Sequence, residues 1–148
     1  MEHVYLDMCS LKRPFDDQRH PRVREEATAV AAIVARAEAG EIALVRSPAH
    51  LVENDANPRE DRRLAAALWI DGATVDVPLD AAVEVRAAEL VAAGFRPLDA
   101  LHVAFAERPQ ARWFVTCDDE LLRVAGRLGE ALRTLVVAPR AVASRTGS

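Results

Sequence analysis

Short apolar segments alternate with longer segments of helical pattern along most of this chain. When a helix separates two strands in this way, the strands usually run in the same direction and form a parallel sheet with helices on both faces. The sequence therefore predicts an α/β fold with a mainly parallel sheet of about five strands. The predicted strands are residues 3–6, 42–45, 74–77, 113–116 and 134–137.

Proline and glycine mark where the intervening helices begin and end. Proline is favoured at the first position of a helix, and glycine just after its end. Pro21 and Gly40 therefore bound one predicted helix, and the segment from Met8 to His20 is predicted to be a loop. Further helices are predicted to start at Pro48 and to cover residues 58–71, 80–93, 97–107 and 118–128. In the helix at 58–71, the side chains predicted to face inward are those of Leu64, Ala67, Leu68 and Trp69.

The length of the chain favours one globular domain. The 148 residues are predicted to form a domain over 1–139 and a small, polar, flexible tail over 140–148. No apolar run approaches the roughly 20 residues that span a bilayer, and the start lacks the features of a secretory signal. We therefore expect a cytoplasmic protein without membrane association. The net charge of −4 argues against a large, uniformly basic surface for nucleic acid.

Four acidic residues stand where the apolar segments are interrupted or end: Asp7, Glu53, Asp99 and Asp118. Burying a carboxylate is costly unless another group compensates its charge. When several carboxylates come from distant parts of one chain, a hard divalent cation is the usual shared compensator. One or two such ions, held by carboxylates, can assist the hydrolysis of a phosphodiester. The pattern predicts that chemistry.

Each acid taken alone also has a structural explanation. Asp7 could accept hydrogen bonds from the amides after its strand, and Asp118 could cap the following helix. Asp99 suits the first turn of a helix that starts at Pro97, where the helix dipole favours an acid. Glu53 lies among apolar residues within a helix and has the weakest explanation of this kind. The conjunction of all four favours a shared site.

The order and spacing of several segments resemble the PIN-domain family, which includes the VapC toxins of bacterial toxin–antitoxin pairs. The resemblance covers roughly residues 3–138 and is most specific in L-D-A-L-H-x-A and T-x-D-D-x-L-L, at 98–104 and 116–122. The strand before Asp7 and the segment 50–54 also match. The block Arg-Pro-Phe-Asp-Asp at 13–17 is similar to that of a subgroup of stand-alone PIN proteins.

This resemblance implies a three-layer α/β/α sandwich and endoribonuclease activity that depends on Mg²⁺ or Mn²⁺. By position, the catalytic and metal-binding acids of the family correspond to Asp7, Glu53, Asp99 and Asp118. Asp119 is a candidate substitute ligand beside Asp118, and the sequence does not rank the two. Thr116 and Ser10 would support the site through their hydroxyl groups.

The resemblance also implies an RNA substrate, an antitoxin protein as a partner, and a homodimer. Apolar faces of the helices at 58–71 and 80–93 could form the dimer or belong to the core. The alternative function is that of a degenerate PIN module that acts through protein–protein interaction. Arg13, Arg19 and Arg22 are candidate contacts to RNA phosphates, or they belong to a solvated surface loop.

Two positions depart from the family pattern. Met8 stands where members often carry Ser or Thr, and Lys12, the only lysine of this chain, stands where Asn is frequent. Cys9 and Cys117 lie close in sequence to candidate acids, either as small buried residues or in a redox or soft-metal role. His50 and His102 are expected to support the site rather than bind the ion, because Mg²⁺ and Mn²⁺ prefer oxygen ligands.

Overall fold

A computed structural model of this protein describes residues 1–143, which form five strands and eight α-helices. The strands are β1 (Glu2–Leu6), β2 (Ile42–Arg46), β3 (Val75–Asp76), β4 (Trp113–Val115) and β5 (Leu135–Val137). The helices are α1 (Met8–Lys12), α2 (Pro21–Glu38), α3 (Pro48–Asp55), α4 (Glu60–Asp71), α5 (Ala81–Ala93), α6 (Pro97–Glu107), α7 (Asp119–Leu128) and α8 (Pro139–Ala143). No helix within this part of the chain is long and apolar enough to cross a membrane.

The five strands form one parallel sheet in the order β3-β2-β1-β4-β5, with β1 at the centre. The chain adds strands on one side of β1 and then crosses to add β4 and β5 on the other side. The boundary between β1 and β4 is therefore the topological switch point, where ligands bind beyond the carboxyl ends of the strands in open α/β sheets. Leu6 lies opposite Val115 in the register, so both strands end at the same edge.

Two apolar cores cover the two faces of the sheet. On β1, Val4 and Leu6 pack in one core with Ile33 of α2, whereas Tyr5 packs in the other core with Phe105 of α6. This distribution follows from the alternation of side chains along a strand. The predicted parallel sheet and the three-layer α/β/α sandwich are confirmed.

The segment from Met8 to His20 is more ordered than the predicted loop. Asp7 caps α1 directly after β1, because its carboxylate accepts a hydrogen bond from the backbone N–H of Ser10. A short 3₁₀ helix, Arg13–Phe15, follows α1. The loop prediction was wrong for these residues. A single Asp directly after a strand, such as Asp7, is only a weak sequence signal that a short helix follows.

Two further details differ from the sequence prediction. Leu64 and Leu68 of α4 are 57% and 73% exposed, whereas Ala66 and Ile70 face the core. At the end of the chain, Pro139–Ala143 form α8 with Val142 buried, so this helix begins before the predicted tail boundary and includes its first residues. The rest of the predicted tail, 144–148, lies outside the described residues.

Candidate active site

Asp7 stands at the carboxyl end of the central strand, and its side chain is buried. Oδ1 accepts a hydrogen bond of 2.9 Å from the Ser10 backbone N–H. Burial raises the pKa of the Asp7 carboxyl from 3.8 to about 6, although hydrogen bonds from Thr116 and Ser10 act in the opposite direction. Asp7 thus makes the backbone contact that its structural explanation predicted, and burial still raises the pKa of its carboxyl.

Thr116 links Asp7 to the segment that follows β4. Its hydroxyl oxygen accepts a hydrogen bond of 3.0 Å from the backbone N–H of Asp118, and its hydrogen bond with Asp7 lowers the pKa of that carboxyl. Ser10 contributes from the other side, since its hydroxyl donates to the Val115 carbonyl at 3.0 Å. Both side chains are fully buried. The two predicted supporting hydroxyls therefore join the ends of β1 and β4.

Asp118 is the N-cap of α7, as its structural explanation predicted. Its Oδ1 accepts hydrogen bonds from the backbone N–H of Glu120 at 2.9 Å and of Leu121 at 3.4 Å. Within residues 1–143, Oδ2 of Asp118 accepts no hydrogen bond.

Asp99 lies in the first turn of α6, also as predicted, and is partly buried. Burial and the negative charge of Asp118 raise the pKa of Asp99, and Glu53 adds to this effect. The carboxylates of Asp118 and Glu53, which come from two other elements, therefore lie close enough to act on Asp99 at this edge of the sheet.

Glu53 on α3 is held by a chain of buried side chains. His102 Nε2 donates to Glu53 Oε1 at 3.2 Å, and its Nδ1 is 2.5 Å from the Tyr5 hydroxyl, which is 2.8 Å from Ser47 Oγ. Since a carboxylate only accepts, Nε2 of His102 carries the hydrogen of its bond to Glu53. Burial raises the pKa of Glu53, but the bond from His102 and the charges of His102 and Lys12 outweigh it and leave the pKa below its usual value.

His50 fixes the start of α3 against the end of β1. Its Nδ1 accepts from the Ser47 backbone N–H at 3.1 Å, so its Nε2 donates to the Leu6 carbonyl at 2.7 Å. Burial lowers the pKa of His50 to about 4, which keeps the ring neutral. The ring also stacks on Tyr5, with 4.5 Å between the centroids. His50 thus contacts the end of β1 and His102 contacts Glu53, while their support of a metal site stays a prediction.

In the part of the chain that the structure describes, the four candidate site acids lack the arginine partners that two buried acids elsewhere in the protein have. Glu26 pairs with Arg13 at 3.1 Å, and Glu107 pairs with Arg86 at 2.6 Å. Within residues 1–143, no arginine or lysine forms an ion pair with any of the site acids, Asp7, Glu53, Asp99 and Asp118. The negative charge of the site is therefore uncompensated by arginine or lysine ion pairs.

This contrast predicts a strictly structural role for Glu107. We expect Glu107→Ala to lower the free energy of unfolding by about 3–5 kcal/mol, because it leaves the partly buried Arg86 without its closest partner. Arg86 also contacts the exposed Glu89 at 3.1 Å, so Glu89→Ala is the matched control and should change stability by about 1 kcal/mol or less. Urea denaturation measures both values. An equal effect of the two substitutions would contradict the structural assignment.

The chemistry of the donor set fits a hard divalent cation, because all four candidate ligands offer carboxylate oxygens. No group of three or more His, Cys, Asp or Glu side chains in the described part of the chain could hold a metal ion as it is placed. Mg²⁺ usually keeps several waters and is bound through one or two carboxylates together with substrate phosphates, so a closed protein cage is not required. The uncompensated carboxylates are consistent with an ion that is shared with a substrate.

Other predicted site residues are already paired with opposite charges. Arg22 donates to the Asp119 carboxylate at 2.6 and 2.9 Å. Within the described residues, Asp119 is therefore paired with a cation, whereas Asp118 is not. Arg13 pairs with Asp16 and Glu26, and Arg19 pairs with Asp17. The arginines reach RNA phosphates only if these pairs open, and their role in RNA binding stays a prediction.

Both cysteines are free thiols. Cys117 is buried with its sulfur 3.8 Å from the Ser10 hydroxyl, whereas Cys9 is partly exposed. The placement of Cys117 agrees with a small buried residue beside a strand end.

Sequence reasoning missed Tyr5 and Ser47, which connect His102 to the start of α3. Tyr5 could have been found from the alternation of a strand, since it lies two residues before Asp7 and so points to the same face. For Ser47, the sequence indicated only a helix cap. Its hydrogen bond with Tyr5 joins residues 42 positions apart, so no local sequence pattern could predict it.

One family model, described as PIN domain, matches residues 15–127, which is more than half of the 148-residue chain. A comparison with curated proteins gave no match.

Proposed function

This chain belongs to the PIN-domain family, and we propose that it is a divalent-metal-dependent endoribonuclease that hydrolyses RNA phosphodiester bonds. PIN domains are typically metal-dependent nucleases, generally with Mg²⁺ or Mn²⁺. The observation that carries the proposal is the convergence of the four site acids at the switch point of the sheet without an arginine or lysine ion pair. A divalent cation at these acids would activate a water and neutralise charge on the phosphate and the leaving oxygen.

The protein's own groups fix the positions of the carboxylates. The N–H of Ser10 and the hydroxyl of Thr116 orient Asp7, and the cap of α7 orients Asp118. His102 orients Glu53 by binding Oε1. These buried supports limit side-chain rotation, so the carboxylates are arranged before substrate binds.

We also propose where the protein acts and what it binds. RNA is abundant in the cytoplasm, so we propose a cytoplasmic location. The resemblance to VapC proteins supports the role of a toxin with an antitoxin partner. A homodimer is supported by exposed apolar side chains on α3 and α4: Leu51, Val52, Leu64 and Leu68.

These same apolar side chains favour the second candidate function, a protein-interaction module with an inactive acidic pocket. A mass measurement of the native protein shows whether a partner or a second copy is bound. A monomer without nuclease activity would count against both functions.

The direct test of the proposed function is an assay of single-stranded RNA cleavage with Mn²⁺, with Mg²⁺ and with EDTA. The protein should cleave RNA internally with either ion and should lose activity in EDTA. Activity that persists in EDTA, or activity that does not follow the protein peak during purification, would contradict the proposal.

A further inference from the structure

A cleft of about 410 Å³ opens beside Glu53, and apart from Glu53 none of its lining residues belongs to the candidate metal site. This volume falls within the roughly 300–1,000 Å³ that is typical of ligand pockets. The lining comes from α1, the residue after the 3₁₀ helix, α3, the segment between α3 and α4, and α4: Cys9, Lys12, Asp16, Glu53, Asn57, Pro58, Arg59 and Arg62. Three of these side chains are cationic and two are acidic, so the cleft is more basic than the site next to it.

The three cations of the cleft differ in whether they are already paired. Arg62 binds Asp16 at 2.9 Å, and Arg59 binds Asp61 at 3.2 Å. The ammonium group of Lys12 has neither a hydrogen bond nor an ion pair with any group in residues 1–143. Its charge nevertheless acts on Glu53, because it lowers the pKa of that carboxyl. Lys12 is thus an unpaired positive charge next to the acidic site.

Asn57 adds a second donor without a partner. Its Nδ2 is buried and has no hydrogen bond within the described residues, and its side chain lines the same cleft. A buried N–H group without a partner is costly, so a ligand acceptor that binds there removes an existing penalty. An ammonium and an amide N–H together suit an anion with several acceptor oxygens, as a phosphodiester has.

We propose that Lys12 and Asn57 bind a backbone phosphate of the RNA strand in this cleft, next to the bond that is cleaved. This inference rests on the proposed nuclease function and names the residues that seat its substrate. It also gives a role to Lys12 at a position where the sequence departs from the family pattern. Arg59 and Arg62 can add to the field of the cleft, but their acid partners must first be displaced.

Binding of a fluorescent single-stranded RNA in EDTA tests the proposal without cleavage. We expect Lys12→Gln to weaken binding about tenfold and to reduce the slope of log affinity against log salt by about one, the effect of losing one phosphate contact. Lys12→Arg should retain most of the affinity, and Asn57→Asp should weaken it because a negative charge then faces the phosphate. Thermal unfolding checks that each variant is folded.

Arg112→Gln is the matched control, because it removes the same charge at the opposite edge of the sheet, before β4. Arg112 lies 3.6 Å from Glu2 and over the ring of Trp113, remote from the carboxyl ends of the strands. This control should bind RNA as the wild type does. Equal affinity and equal salt slope in Lys12→Gln and the wild type would overturn the proposal.

Two other outcomes separate this inference from the proposed function. A wild type that cleaves RNA, together with an unchanged KM in Lys12→Gln, would overturn the role of the cleft and leave the nuclease function intact. A wild type that neither binds nor cleaves RNA would overturn both. Inorganic phosphate serves as a competitor. If it displaces the RNA at the same phosphate concentration as unlabelled RNA, the cleft binds free phosphate, and the assignment to an RNA strand is wrong.

Discussion

Asp99→Asn is expected to reduce the rate of RNA cleavage on the order of a thousandfold while the fold is retained. A charged ligand at a metal-assisted site contributes several kcal/mol to the transition state, and each 1.36 kcal/mol corresponds to a factor of about ten in rate. Asparagine has nearly the same shape and does not disturb the first turn of α6. Single-turnover cleavage of a defined RNA with Mn²⁺ measures the loss, and circular dichroism checks the fold.

Asp119→Asn is the matched control for this loss. It makes the same chemical change in a neighbouring acid that is exposed and held by Arg22. We expect cleavage within about twofold of the wild type, because a surface ion pair of this kind contributes little. If Asp119→Asn abolished cleavage and Asp99→Asn did not, the assignment of the acidic cluster would be wrong.

Asp7→Asn is expected to stabilise the metal-free protein although it inactivates the enzyme. Burial raises the pKa of Asp7 from 3.8 to about 6, so the folded state binds a proton more tightly than the unfolded state. The stability that this proton provides is full below about pH 4 and is lost as the pH rises through about 6. Above pH 6 the charged carboxylate costs up to about 3 kcal/mol. Asparagine removes that cost and can still accept the hydrogen bond from Ser10.

Urea denaturation of both proteins in EDTA, at pH 4 and at pH 7.5, measures this effect. The two should have similar stability at pH 4, and the variant should be more stable at pH 7.5. Addition of Mn²⁺ at pH 7.5 should stabilise the wild type and have little effect on the variant, because a ligand that binds only the native state shifts the equilibrium. A less stable variant at pH 7.5 in EDTA would contradict the account of Asp7.

The edge of the sheet on which the site lies could be predicted from sequence because it follows from strand direction alone. Asp7 and Asp118 come directly after apolar segments, and parallel strands bring such positions to one edge. The roles of Asp99 and Asp118 in helix starts were likewise visible, since capping depends on residues a few positions apart. These local rules predicted where Asp7, Asp99 and Asp118 lie, and they predicted the backbone contacts of Asp7 and Asp118.

Features that depend on contacts between distant segments were not predictable from sequence. Arg22 pairs with Asp119 and Arg13 pairs with Glu26. Neither pairing follows from a local sequence pattern, so these arginines were predicted as contacts to RNA phosphates without knowledge of their acidic partners. On α4, leucines and alanines occupy several faces, and the spacing of Leu64 and Leu68 did not reveal that the smaller Ala66 packs inward. The cleft at Lys12 depends on the fold of α1, a segment that the sequence indicated as a loop.

Calorimetric titration with Mn²⁺ measures whether the four acids at the switch point bind a divalent cation, as proposed. The titration compares the wild type with Asp99→Asn and Asp119→Asn at pH 7.5. We predict a saturable heat of binding for the wild type and for Asp119→Asn, and a strongly weakened one for Asp99→Asn. The absence of saturable binding to the wild type, or undiminished binding to Asp99→Asn, would mean that these acids do not form the metal site.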